Sequence, residues 1–117
     1  MKMVILNNGL QKLRDLHYDD VTEVDFGDDG SAVAVTQTGV QSEISGATGL
    51  SITKTKGSYS NQFTAELDSS TATGNTVREN SLGNGTISYD RSVQPGVAHT
   101  ANDSIIVIKG YVYERSQ

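Results

Sequence analysis

Two histidines, a cluster of aspartates and a set of tyrosines are the residues of this 117-residue chain whose types could do chemistry. His17 and His99 each lack a second imidazole at ligand spacing, and each reads as an exposed or helix-terminal side chain rather than a metal ligand. With no cysteine in the sequence, a thiol nucleophile, a thiolate metal site and a disulfide are all excluded. The Gly-x-Ser-x-Gly elbow, the Gly-x-Gly-x-x-Gly fingerprint and the phosphate loop do not occur. Asp25, Asp28 and Asp29, followed by Gly30, are weak metal candidates, because a hard cation wants several oxygens on a tight glycine turn. Their spacing misses the alternate-residue pattern of a calcium loop and no Glu closes it, so a solvated turn is the favoured reading. Asn84-Gly85-Thr86 and Asn102-Asp103-Ser104 fit the glycosylation acceptor, yet seven asparagines produce roughly one or two such matches by chance. Tyr59, Tyr89, Tyr111 and Tyr113 would make a sugar-stacking platform if the fold gathered them; ordinary strand and interface tyrosines are the plainer expectation. The sequence therefore predicts no catalytic residue, no cofactor and no required metal.

The elements that would position these residues are mostly strands. Leu6, Leu10, Leu13 and Leu16 or His17 recur at helical spacing, predicting one short helix over Asn8–His17 with Asn7 or Asn8 as its cap. Such a short helix needs a surface to dock on, and the leucine stripe is the expected contact. After it the period is 2. Thr22, Val24 and Phe26 share a strand face that ends at Gly27-Asp28-Asp29-Gly30. Ser31–Thr38 reads as a strand or an irregular loop. Leu50 and Ile52 mark a short strand, and Tyr59, Asn61, Phe63, Ala65 and Leu67 align on one face of a longer one. Thr76–Glu79 is a brief strand, Gly83-Asn84-Gly85 a turn before Ile87, Tyr89 and Val93, and Gln94-Pro95-Gly96 a break. The last segment differs, because Ile105–Ile108 and Tyr111–Tyr113 are apolar on both faces. The expectation is a covered strand, with Ile106 and Ile108 in the core and Tyr111 and Tyr113 toward a partner chain. Six or seven antiparallel strands with regular turns predict an all-β sandwich with one N-terminal helix, as a single domain over 1–117.

Composition bounds the partners. Lys plus Arg is 9 against 14 Asp plus Glu, a net charge of -5, which disfavours nucleic acid and anionic lipid. No run of about 18 apolar residues occurs, and the opening Met1–Leu6 is too short for a signal-peptide core. Hydrophobic residues are only 35% of the chain, so the core is expected to be thin.

Several segments, taken in order, carry a family pattern. Asn8-Gly9-Leu10-Gln11-Lys12-Leu13-Arg14-Asp15-Leu16 precedes Val24-Asp25-Phe26-Gly27, then Thr38-Gly39-Val40-Gln41-Ser42-Glu43-Ile44 and Phe63-Thr64-Ala65-Glu66-Leu67. Gly74-Asn75-Thr76-Val77-Arg78-Glu79-Asn80-Ser81-Leu82 follows, with Arg91, Pro95 and a β-rich end. This order resembles the small β domain of tailed-virus structural proteins, the phage tail-collar and tail-fibre group, with Ser81 standing where that pattern has Gly. The resemblance implies a partly buried Glu79–Arg91 pair that fixes strand register. It further implies a virion structural protein assembling symmetrically as a tail, collar, or capsid turret or decoration component, located in the virion. Its partners would be copies of itself and other virion proteins, with a host-surface glycan as a further candidate and neither nucleic acid nor membrane insertion. Leu10, Leu13, Val77, Glu79, Leu82, Arg91, Ile106, Tyr111 and Tyr113 are the residues expected to serve assembly or the fold behind it. The alternative is a stand-alone carbohydrate- or protein-binding β module, favoured by the tyrosines.

Overall fold

The leucine spacing does mark a helix, and it outruns the stripe. In the computed structural model, which describes residues 2–115, α1 spans Asn7–Asp20. Leu6 is its N-cap and has no side-chain acceptor, so both asparagines lie inside the first turn and neither caps it. The docking face is also rotated from the expected one. Leu10 is buried, but Leu13 and Leu16 are 50% and 53% exposed; Leu10, Arg14 and His17 face the sheet instead. Polar groups fasten them. Asn61 Nδ2 donates to the Arg14 carbonyl at 2.8 Å, and Arg14 Nη1 donates to the carbonyls of Gly57 and Ser58. Lys54 Nζ reaches the Tyr18 carbonyl at 2.7 Å.

Six strands follow: β1 Glu23–Gly27, β2 Leu50–Lys56, β3 Ser60–Leu67, β4 Thr76–Gly83, β5 Ser92–Ala98 and β6 Ile105–Val112. All neighbours pair antiparallel, in the order β5-β4-β1-β2-β3-β6. The class is all-β with one helix, as expected. The strands form one sheet curled into a half-barrel, however, rather than two sheets face to face. The curl concentrates at the middle, where β1 and β2 share only the pairs Glu23–Ser51 and Val24–Leu50. Two three-stranded halves thereby turn one concave face toward each other. That face buries Val24 and Phe26 from β1, Phe63, Ala65 and Leu67 from β3, and Val77 and Leu82 from β4. Val21, Ile44 and Ala47 plug the gap beside the short β1–β2 pairing.

Period-2 reading located β3 correctly: Asn61, Phe63, Ala65 and Leu67 are all buried. It placed β6 one residue out. Ile105, Val107 and Tyr111 pack against the core, because their partners across the ladder are the inward Leu67, Ala65 and Asn61. Ile106 and Ile108 consequently face outward, 61% and 62% exposed, and β6 is an edge strand. A strand apolar on both faces offers no alternation from which to read parity.

Three further expectations are corrected. Gln94-Pro95-Gly96 does not break the chain but runs inside β5, where an edge position tolerates the missing N–H of Pro95. Ile87 and Tyr89 are not in a strand; Asn84 Oδ1 caps the N–H groups of Thr86 and Ile87, leaving a loop with one bridge, Gly83–Ser88. His99 is buried rather than exposed, and its Nε2–H donates to the carbonyls of Asp68 and Thr71, both at 2.8 Å, which pins the 68–75 turn. The open choice at Ser31–Thr38 resolves as an irregular loop.

Candidate functional site

His17 projects from α1 over β3 and β6 into a ring of aromatics. Tyr111 and Tyr89 lie 4.6 and 4.7 Å from it, centroid to centroid, with Phe63 at 5.4 Å and Tyr113 at 5.8 Å, all edge to face. Such packing is favoured by the ring quadrupoles. The hydrogen bonds suit one tautomer. Asn61 Nδ2 donates to the Tyr113 hydroxyl at 2.9 Å, and that hydroxyl is paired with His17 Nδ1, toward which its own proton can turn. In that tautomer Nδ1 is the acceptor and Nε2 carries the hydrogen, buried and without a partner. Burial lowers the His17 pKa below the ordinary imidazole value, and the carboxylates of Asp90 and Asp20 oppose that shift without reversing it.

Two aspartates tie the rest of the ring down. Asp90 accepts from the Leu82 N–H (3.0 Å), Lys109 Nζ (2.7 Å) and the Tyr111 hydroxyl. It thereby joins β6 to the segment entering β5 through side chains. Asp20 accepts from the Tyr89 hydroxyl and from Asn84 Nδ2 (3.0 Å). Burial, then the Asp90 bond, raise the Tyr111 pKa; the Asp20 bond raises that of Tyr89. Burial lowers the Lys109 pKa despite the Asp90 carboxylate.

Beside this network runs a groove of about 600 Å³, walled by Leu13, Leu16 and His17 on one side and by Tyr89, Tyr111 and Tyr113 on the other. With the three hydroxyls committed to Asp20, Asp90 and His17, the groove presents a ligand mainly with ring and aliphatic surface. That suits an apolar side chain or the flat face of a sugar ring. Three of the four tyrosines singled out in the sequence meet here. Tyr59 lies apart, on a separate groove with Leu10 and Arg115. Tyr111 and Tyr113, expected to turn toward a partner chain, point into this network, because the inward parity of β6 carries them there.

At the other end of the sheet Glu79 and Arg91 form the pair that the family resemblance implied. Arg91 Nε meets Glu79 Oε1 at 2.8 Å, with their side chains 4% and 0% exposed. Glu79 also accepts the backbone N–H groups of Asp29, Gln41 and Ser42 at 2.9, 2.6 and 2.9 Å. Burial would raise the Glu79 pKa, but Arg91 and those three donors outweigh it and the net shift is downward. Arg91 in turn donates to the Ser31 and Asp29 carbonyls and to Gln37 Oε1. One buried ion pair thus holds the whole irregular 28–42 loop. Gly27 is required beside it, since a Cβ there would meet Glu79 Oε2 at 2.4 Å and the Ser42 carbonyl at 2.5 Å. Ser81 is accommodated where the family pattern has Gly, since its φ is not positive.

The aspartate turn assembles differently from a cation site. Asp25 Oδ1 accepts the Gly49 N–H and Asp29 Oδ1 accepts the Ser31 N–H, while Asp28 is exposed. Among the described residues no three His, Asp or Glu side chains converge as a metal site. Leu10, Val77 and Leu82 are core residues, whereas Leu13 lines the groove and Ile106 lies on the outer face. Sequence reading missed Asp90 altogether, for want of any spacing signal. Asn61 did carry one, as a polar residue on an inward parity position. Comparison of the chain with family models, with curated proteins and with solved structures gave no match.

Proposed function

We propose that this chain is a structural subunit of a tailed-virus particle, a tail, collar, or capsid turret or decoration component, and that it works by symmetric assembly. One observation carries the assembly part. A chain with few apolar residues leaves Ile106, Ile108 and Val112 uncovered in a row on an edge strand, with Met3, Val4 and Leu6 exposed on the arm before α1. Clustered exposure of that kind marks a protein–protein surface. The virion part rests on the ordered sequence resemblance, including the Glu79–Arg91 pair. Mass measurement of the purified protein in solution tests the proposal: a dimer, trimer or ring is expected, and a stable monomer would favour the binding-module alternative. That alternative draws its support from the Tyr89–Tyr111–Tyr113 groove, and glycan-array binding lost on Tyr89→Ala would promote it.

A further inference from the structure

We propose that the free edge of β6 is a subunit seam, on which β6 of a second copy of this chain pairs antiparallel about a two-fold axis. This rests on the assembly reading above and names its surface and partner. The backbone argument comes first. Tyr113 N–H donates to the Tyr59 carbonyl at 2.8 Å, continuing the β3–β6 register. Odd-numbered residues of β6 are therefore the hydrogen-bonded partners of β3, and antiparallel alternation turns the N–H and C=O of Ile106, Ile108, Gly110 and Val112 outward. The same residues carry the exposed side chains: Ile106 and Ile108 as above, Val112 at 69%, and Gly110 with open space where a Cβ would stand. Gln62, Thr64 and Glu66 of neighbouring β3 share that outer face and are polar, so the apolar row belongs to the edge alone.

Charge and register both admit a second copy at this edge. At a net charge of -5, two copies repel over most of their surface. The only charged residue in β6 is Lys109, and it turns inward to Asp90 at 2.7 Å, so the edge carries no acid and no outward lysine guard. With Ile108 on the axis, Ile106 lies opposite Gly110 of the second copy, both from the outward set that forms hydrogen-bonded pairs. Lys109 then faces Val107 of the second copy and not another lysine. The exposed arm Lys2–Leu6 emerges beside this edge, held by Arg115 Nε on the Ile5 carbonyl at 2.6 Å. Edge and arm give about thirteen residues a side, fewer than a standard interface supplies, so the dimer is weak, with a Kd on the order of 100 µM, and suited to reinforcement within a larger assembly.

Residue-resolved amide exchange of the full chain, with sedimentation at about 50 µM and about 1 mM, tests this. In the dilute protein the amides of Ile106, Ile108, Gly110 and Val112 exchange freely while their odd-numbered neighbours are protected. On concentration those four slow by about threefold as dimer forms, while their odd-numbered neighbours do not change. The variant I106K/I108K keeps its fold, since both side chains are exposed, and associates at least about tenfold more weakly. A dimer whose four amides stay fast, or an I106K/I108K chain that associates as well as the parent, overturns the seam and leaves the assembly reading standing. A chain monomeric at about 1 mM overturns both.

Discussion

β5 carries Pro95 and Gly96 in its middle and meets β4 through a register shift between Val77 and Glu79. β6, at the opposite edge, runs eight residues without proline or bulge, fully paired to β3 on one side and open on the other. Proline and bulges are the usual defences of a sheet edge against further pairing. One edge is therefore closed to strand addition and the other open. The difference is directional. Two open edges would let copies add without end, whereas one open edge stops at a two-fold pair. The halves behind these edges also differ in what holds them. A buried ion pair organises the β5 half, and a helix laid over aromatic rings and dispersed hydrogen bonds, several of them to Arg14, Lys54, Asp20 and Asp90, organises the β6 half.

The largest effect should come from the ion pair. Arg91→Ala leaves the Glu79 carboxylate buried with only backbone donors and frees the 28–42 loop, which is expected to cost about 3–5 kcal/mol. Urea unfolding measures it. The loss should also depend on pH. The Glu79 pKa is lowered in the folded chain, so the pair's stabilisation is complete above the ordinary glutamate range and is lost as pH falls through the lowered value. A cost below about 1 kcal/mol would mean that the β5 half is held by its core alone.

A second contrast separates the helix contacts. Leu10 is 4% exposed and Leu13 50% exposed, so Leu10→Ala should cost about 2–5 kcal/mol and Leu13→Ala no more than about 0.5 kcal/mol. Equal losses in thermal unfolding would restore the leucine stripe as the docking face and refute the polar fastening through Arg14 and Asn61.

These two sites show how far the sequence could be read. Strands with one buried face announced themselves: β3 by Asn61, Phe63, Ala65 and Leu67, and β1 by Val24 and Phe26. The helix was legible in place but not in orientation, because a leucine stripe encodes a face only when apolar burial does the docking, and here carbonyls and an amide do it. β6 was legible as a strand while its parity was not, since Ile105–Ile108 has no polar residue to mark the wet side. The ion pair was named from the resemblance, yet its loop-holding role depends on backbone donors that no side-chain pattern records. Least legible was the aromatic network. It joins His17, Asn61, Tyr89, Asp90 and Tyr113 from four separate parts of the chain, and only the curl of the sheet brings them together.

The smallest expected effect concerns that network and sharpens the comparison between the halves. His17 is held neutral: its pKa is lowered, first by burial, with Asp90 and Asp20 pulling the other way. The unfolded chain thus binds a proton at higher pH than the folded one. Stability from this group is fully present above the unfolded value near pH ~6.5 and is lost as pH falls through the lower folded value, at no more than about 1.4 kcal/mol per pH unit. The structural cause is specific. Protonation of Nδ1 removes the acceptor of the Tyr113 hydroxyl and puts charge on a ring packed among Phe63, Tyr89 and Tyr111, with Nε2 already lacking a partner. His17→Phe keeps the ring packing and removes the titration, so its unfolding free energy should vary less between pH ~7 and ~5 than that of the parent. If the parent and the His17→Phe chain lose stability in parallel over these two units, the imidazole does not anchor the helix, and the β6 half is held by Leu10 and the backbone clamps alone.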